Sequence, residues 1–130
     1  MEFPDNLRYT KEHEWVRLED DGTVLVGITD YAQDQLGDIV YVELPDVDGE
    51  PVSKDEPLAV VESVKAVSDV YAPVTGVVTE VNDELPNSPE IINQDPYGDG
   101  WMVRMKPENE EELEELLTAE EYEALINELS

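Results

Sequence analysis

The sequence contains no cysteine and only one histidine, His13, among its 130 residues. Without thiols the chain can form neither a disulfide framework nor a thiolate metal site. It also shows no Ser/His/Asp arrangement, no phosphate-binding glycine loop and no metal-ligand spacing. One histidine without a cluster of partners is interpreted as a partly exposed structural residue. These absences argue against an enzyme and against a metal-binding protein.

Positive charge is scarce as well, with 7 Lys and Arg against 34 Asp and Glu, a net charge of −27 at pH 7. Such a surface repels polyanions, so neither nucleic acid nor an anionic membrane is expected as a partner. The acidic excess is larger than solubility requires. It leads to the hypothesis of a protein that works at high salt, where screening relieves the repulsion among its own charges.

Long hydrophobic runs are missing too. No apolar stretch approaches the length of a membrane span. Residues 1–10 contain neither the apolar core of a signal peptide nor the Arg- and Ser-rich composition of a transit segment. The chain is therefore expected in the cytoplasm. The alternatives are a prokaryotic cytoplasm and a processed organellar form, and the start at Met1 favours the former.

Short β-like segments separated by turn residues indicate a mostly β fold, a small barrel or sandwich. In the predicted strand over Asp38–Leu44, the side chains of Val40, Val42 and Leu44 are expected to share one face. A long loop rich in Pro, Asn, Asp and Gly occupies residues 82–100. The predicted strands are Glu14–Leu18, Val24–Ile28, Asp38–Leu44, Leu58–Ser63, Val67–Ala72, Gly76–Asn82 and Trp101–Met105.

Two helices are predicted. A short one follows the second predicted strand, over Asp30–Leu36, with Thr29 or Asp30 as its N-cap and Gly37 at its end. The C-terminal segment, about residues 108–129, is also helical, and Thr118 with Glu121 forms a capping box there. An apolar stripe follows at helical spacing, made of Tyr122, Leu125, Ile126 and Leu129.

The size of the chain sets the number of domains. With 40% apolar residues, the 130-residue chain can bury one sizeable core but hardly two. Residues 1–130 are therefore expected to form a single domain, with the β part over about 7–106 and the helical segment after it.

The stretch VVESVKAVSDVYAP, residues 60–73, places Lys65 between two apolar, β-branched runs. A two-residue hairpin loop normally uses Asn-Gly or Gly-X, because positive φ angles are needed there. Here the connection is Val64-Lys65 or Val64-Lys65-Ala66, without glycine or asparagine, and such a breach of local propensity is typical of a functional site. A lysine at this tip presents its amine to solvent between small, uncharged neighbours. The alternative is an ordinary solvated lysine.

The surrounding sequence resembles a known family. Glu62-Ser63-Val64-Lys65-Ala66-Val67, with Asp55 and Leu58 before it and Gly76 after it, resembles a lipoyl-attachment site. Longer stretches resemble the H proteins of the glycine cleavage system from about Leu7 to Leu129, departing mainly in more Asp and Glu and fewer Lys. These stretches are YTKEHEWV (9–16), VGITDYAQDQLGDIVYVELP (26–45), VVESVKAVSDVYAPVTG (60–76), SPEIINQDPYGDGWM (88–102) and AEEYEAL (119–125).

The resemblance implies a flattened, lipoyl-domain-like barrel-sandwich of two small antiparallel sheets flanked by short helices. It implies that (R)-lipoate is joined by an amide to Lys65, and that the protein is a non-catalytic carrier in glycine catabolism and one-carbon metabolism. A monomer is expected.

The resemblance also implies partners. A pyridoxal-phosphate-dependent glycine decarboxylase (P protein) loads the aminomethyl group of glycine. A tetrahydrofolate-dependent aminomethyltransferase (T protein) takes it, and dihydrolipoyl dehydrogenase (L protein) restores the oxidised arm. A lipoate-attaching enzyme modifies the lysine beforehand.

Four acidic residues and one glycine are candidates to support this site. Glu12, Glu14 and Asp69 are candidates to hold the protonated amine of the cargo in a sheltering cleft. Glu62 and Asp69 flank Lys65 and are candidates for recognition by the lipoylating enzyme. For each of these acids the alternative is a solvated surface carboxylate. Gly76, eleven residues after Lys65, is assigned to a structural turn.

Two other carrier functions use the same kind of lysine. Biotin carriers resemble Met-Lys-Met at the tip, whereas this chain has Val64-Lys65-Ala66, so biotin is disfavoured. A relay that donates lipoyl or octanoyl groups to other lipoyl domains would also use Lys65, and the sequence does not separate it from a glycine cleavage carrier.

Overall fold

A computed structural model of the chain describes residues 1–129. Within them, nine strands and four helices follow one another along the chain. They are β1 (Arg8–Tyr9), β2 (Glu14–Leu18), β3 (Val24–Ile28), α1 (Asp30–Leu36), β4 (Ile39–Glu43), β5 (Pro51–Val52), β6 (Pro57–Ser63), β7 (Val67–Tyr71), β8 (Gly76–Val81), α2 (Ile91–Gln94), β9 (Val103–Pro107), α3 (Glu111–Glu114) and α4 (Ala119–Leu129).

The strands form two antiparallel sheets. One has six strands in the order β1-β2-β3-β9-β8-β5, and the other has three in the order β4-β6-β7. The prediction of a mostly β fold with two antiparallel sheets and short flanking helices is confirmed. Among residues 1–129 the two sheets do not close into one barrel, so sandwich describes the architecture better than barrel.

The core lies between the two sheets. Val26 and Met105 of the larger sheet and Val61 of the smaller one belong to the same buried cluster, which holds the sheets face to face. A second cluster lies under the C-terminal helix α4, where Trp15 and the stacked rings of Tyr9 and Tyr122 are buried. Helix α4 thereby covers the end of the larger sheet.

The predicted helix caps are present. The Thr29 hydroxyl oxygen accepts a hydrogen bond from the Ala32 N–H at 3.2 Å, and Gly37 ends α1 with φ +78°. In α4 the Glu121 carboxylate accepts from the Thr118 N–H at 2.9 Å, and the Thr118 hydroxyl oxygen accepts from the Glu121 N–H at 3.2 Å. Local sequence therefore fixes both helix starts.

Three structural predictions made from the sequence were wrong. Val40 does not share a buried face with Val42, because a bulge between Ile39 and Tyr41 shifts the pairing with β6 and leaves Val40 exposed. Leu129 of the predicted apolar stripe is also exposed, at the last residue of α4. The predicted loop over residues 82–100 contains α2, whose Ile92 enters the core. No helix of residues 1–129 is long and apolar enough to cross a bilayer.

Candidate functional site: the hairpin tip and an acidic cleft

Lys65 lies at the tip of the hairpin formed by β6 and β7. The last paired residues are Glu62 and Val67, and the Ser63 N–H donates to the Ala66 carbonyl at 2.8 Å. Val64 and Lys65 thus occupy the two central positions of a tight turn, and both are exposed. Among the residues described, no carboxylate forms an ion pair with the Lys65 ammonium.

Ser63 explains how this turn forms without glycine. Its buried hydroxyl oxygen accepts hydrogen bonds from the N–H groups of Lys65, at 3.2 Å, and Ala66, at 3.0 Å. Neither Val64 nor Lys65 has a positive φ, since in residues 1–129 the only non-glycine residues with one are His13 and Asp55. A serine at the first position of a turn is a known sequence signal for such side-chain capping.

The tip is also anchored to the neighbouring strand. The Val64 N–H donates to the Asp38 carbonyl, just before β4, at 3.2 Å. The aliphatic stem of Lys65 passes beside Gly37, where a Cβ would lie 3.6 Å from Lys65 Cε. The backbone of the tip is therefore held on two sides, while the lysine side chain projects along the surface.

A cleft of about 440 Å³ opens near the other end of β7. It lies between the β1–β2 loop, the β5–β6 turn and the segment joining α3 to α4. Its walls combine apolar side chains with groups of both charges. They comprise Tyr9, Thr10, Lys11, Glu12, Lys54, Asp55, Tyr71, Glu115, Leu116 and Leu117.

Glu14 is buried directly behind the wall of this cleft, with 2% of its surface exposed. One carboxylate oxygen accepts from the Thr10 hydroxyl at 2.6 Å and the other from the Tyr71 N–H at 3.2 Å. Burial raises the pKa of the Glu14 carboxyl to about 7; the two hydrogen bonds oppose the rise, and the charges of Glu12 and Asp55 add to it. Glu14 can therefore gain or lose a proton near neutral pH.

The structure brings some of the predicted acids together and separates others. Glu12 lines the cleft, and Glu14 lies behind its wall, hydrogen-bonded to the lining residues Thr10 and Tyr71. Asp69 is exposed on β7 between the tip and the cleft. Glu62 is half-buried on the outer face of the smaller sheet, paired with Tyr41 on one side and Val67 on the other.

An outer face of β7 connects the tip with the cleft. Side chains alternate along a strand, so Val67, Asp69 and Tyr71 lie on the same side. Tyr71 lines the cleft, and four residues of strand place it about 13 Å from Val67. Three bonds of extended chain cover about 3.8 Å, so the 11 or so bonds of a lipoyl-lysine arm cover about 14 Å. An arm on Lys65 has the length to pass Asp69 and approach the cleft.

Gly76 is the first residue of β8 and follows the bend at residues 73–75. It is paired with Val52 and Pro107, and a Cβ on Gly76 would overlap the backbone carbonyl of Lys106. Close approach of two strands is therefore the physical reason for glycine at this position.

His13 lies away from Lys65. Its Nδ1 is 2.8 Å from the Tyr122 hydroxyl, which is also 2.8 Å from the Thr29 hydroxyl. Burial lowers the pKa of the His13 imidazole, against the opposing charge of Glu12. The Tyr122 hydroxyl therefore links α4 to His13 in the β1–β2 loop and to Thr29 at the start of α1. In the part of the chain described, no group of three or more His, Cys, Asp or Glu side chains is arranged to hold a metal ion.

Comparisons with known proteins identify the family of the chain. A family model described as "Glycine cleavage H-protein" matches residues 7–129. The glycine cleavage system H protein of Psychrobacter sp. (strain PRwf-1) is 64% identical over 93% of this chain and 95% of its own length. The probable glycine cleavage system H protein of Pyrococcus abyssi is 63% identical over 96% and 92%.

A solved structure has the same fold. The crystal structure of a glycine cleavage system H protein from Mycobacterium marinum superposes with a TM-score of 0.87 at 43% identity, covering 95% of this chain and 98% of that one. The resemblance found in the sequence is thereby confirmed: the chain belongs to the glycine cleavage H-protein family.

Proposed function

We propose that this protein is a lipoyl carrier of the glycine cleavage system, with (R)-lipoate joined in an amide to Lys65. The observation that carries the proposal is the Lys65 amine, exposed at a turn whose backbone Ser63 holds in place. The residues at the tip fit the attached group, because the Lys65 side chain is exposed and its ammonium forms no ion pair within residues 1–129. The chain itself catalyses no step; it presents and shelters the arm.

Held on Lys65, the lipoyl group would supply a disulfide that can take up the aminomethyl group of glycine with its own reduction, release that group to a folate-dependent acceptor as a dithiol, and be reoxidised by a dehydrogenase. The partners proposed are therefore the glycine decarboxylase, the aminomethyltransferase, dihydrolipoyl dehydrogenase and a lipoate-attaching enzyme. Tethering keeps the arm at a high effective concentration at each docked active site.

The acidic residues of the cleft have a role in this proposal. The cargo carries an amine that is protonated at neutral pH, and loss of that amine is a wasteful side reaction. Glu12 lines the cleft and offers a carboxylate to the ammonium, while Glu14, when ionised, adds a negative charge from behind the wall. The apolar walls of the cleft limit the access of water. Asp69 lies on the path from the tip to the cleft and offers a third carboxylate.

The remaining assignments complete the proposal. The whole chain, residues 1–130, acts as one domain and as a monomer in the cytoplasm of a prokaryote, without nucleic acid or membrane as a partner. The net charge of −27 suits an environment of high ionic strength.

The test is exchange of the glycine carboxyl carbon with labelled bicarbonate, catalysed by a purified glycine decarboxylase. We expect exchange only when the lipoylated protein is added. The Lys65→Arg variant keeps the positive charge but does not accept the acyl group, so it is expected to support none. Equal exchange with the wild type and the variant would contradict the proposal.

A further inference from the structure

An apolar patch lies on the outer face of the smaller sheet beside Lys65. Eight large hydrophobic side chains are exposed within residues 1–129, and four of them occupy this end of the sheet. The four are Val40 (52% exposed), Tyr41 (49%), Val64 (72%) and Val67 (66%). On a chain as acidic as this one, such a concentration is a feature to explain, because single exposed hydrophobic residues are ordinary but clusters mark interaction sites.

The strand register makes these side chains neighbours. Tyr41 is paired with Glu62 and Glu62 with Val67, so the three side chains form a row across β4, β6 and β7. Directly paired residues have Cβ atoms about 5 Å apart. Val64 follows in the turn next to Lys65. We call Tyr41, Val64 and Val67 the tip patch.

Carboxylates lie within and behind the tip patch. Glu62 is at the centre of the row. The next row on the same face, about 7 Å along the strands, consists of Glu43, Val60 and Asp69. A partner that covers the tip patch must therefore combine an apolar centre with basic groups. A second copy of this chain would bring like charges together and does not meet that requirement.

The reach of Lys65 distinguishes among the partner enzymes. The unmodified side chain has five bonds from Cα to Nζ, which is about 6 Å. An enzyme that acylates this amine must therefore contact the hairpin tip itself. Enzymes that act on the end of the attached arm work about 14 Å from Cα and need not cover the tip.

We propose that the tip patch is the docking surface for the lipoate-attaching enzyme, whose matching face is apolar with Lys or Arg opposite Glu43, Glu62 and Asp69. This inference rests on the proposed function. It adds an apolar surface to the acidic residues flanking the lysine and assigns that surface to the enzyme that acts before the arm exists.

The test measures kcat/KM for lipoylation of the unmodified protein by a purified lipoate ligase, with lipoate and ATP as its other substrates. We expect Tyr41→Ser and Val67→Ser to lower kcat/KM about tenfold each, chiefly through KM, because truncating a central interface side chain commonly has this effect. Leu18→Ser and Val47→Ser are matched controls, since their exposure is similar, 56% and 53%, but they lie outside the smaller sheet. Both are expected to stay within about twofold of the wild type.

A second measurement separates docking from changes in the lysine. Acetylation of Lys65 by a small activated ester, followed by peptide mass, needs no protein partner. We expect the same rate in the wild type and both patch variants.

Three results would overturn the inference. Wild-type rates of enzymatic lipoylation in Tyr41→Ser and Val67→Ser would contradict it, and so would a parallel loss of small-reagent acetylation. Unchanged lipoylation combined with slowed glycine decarboxylation would assign the patch to the decarboxylase instead. The proposed function fails separately, if the wild type itself accepts no lipoyl group from a ligase that modifies another lipoyl domain.

Discussion

Replacing Glu14 by glutamine is expected to stabilise the fold above pH 7 while weakening the protection of the cargo. The Glu14 pKa is 4.5 in the unfolded reference and about 7 in the fold. Between these values the native state keeps a proton that the unfolded chain loses, so this residue makes stability fall as pH rises. Above pH 7 this residue has lowered the free energy of unfolding by roughly 3 kcal/mol relative to pH 4.

Glutamine fits the same place without ionising. Its carbonyl oxygen can accept from the Tyr71 N–H, and its amide can donate to the Thr10 hydroxyl, which rotates to accept. Glu14→Gln is therefore expected to exceed the wild type at pH 8 by up to about 3 kcal/mol in free energy of unfolding, with the difference largely gone at pH 4. Urea unfolding at the two pH values measures both.

The matched control is Glu123→Gln, the same change on the exposed side of α4. It is expected to change the free energy of unfolding little, relative to the wild type, at either pH value. The effect on protection of the cargo is measured as the rate at which the loaded carrier releases ammonia. Loss of the negative charge behind the cleft wall is expected to raise that rate about tenfold in Glu14→Gln. If Glu14→Gln were less stable than the wild type by the same free energy at pH 8 and at pH 4, this account of Glu14 would be refuted.

Four further predictions concern the tip, the anchor of α4, the histidine and the charge. Ser63→Ala removes the acceptor for two turn N–H groups and is expected to cost about 1–2 kcal/mol in urea unfolding and to slow lipoylation; unchanged values would contradict the capping role. Tyr122→Phe is expected to lower the free energy of unfolding, measured in urea, by about 1–3 kcal/mol. His13, the single histidine, should titrate below pH 6.5 by NMR in the wild type; a midpoint above 6.5 would contradict its burial. Finally, the thermal midpoint should rise from dilute buffer to molar KCl, and a constant midpoint would remove the high-salt hypothesis.

Features that depend on neighbouring residues were predictable from the sequence. The hairpin around Lys65, the Thr29 cap of α1 and the Thr118–Glu121 capping box each involve contacts within a few residues. Their signals are the residue types at fixed short spacings.

Features that depend on distant pairing were not predictable. The exposure of Val40 follows from a bulge in the pairing of β4 with β6, which no local pattern encodes. Glu14 could be proposed as a candidate acid, but its raised pKa comes from burial and from a contact with Tyr71, 57 residues later. The tip patch likewise exists only because the register places Tyr41 and Val67 on either side of Glu62.

The central claim is that Lys65 carries the lipoyl group, and intact mass tests it most directly. The protein is produced in cells that are supplied with lipoate and contain a competent lipoylating enzyme, with Lys65→Ala made in parallel. We predict a mass increase of one lipoyl group in the wild type and none in the variant. An unmodified wild type, or a lipoyl group that persists in Lys65→Ala, would contradict the account.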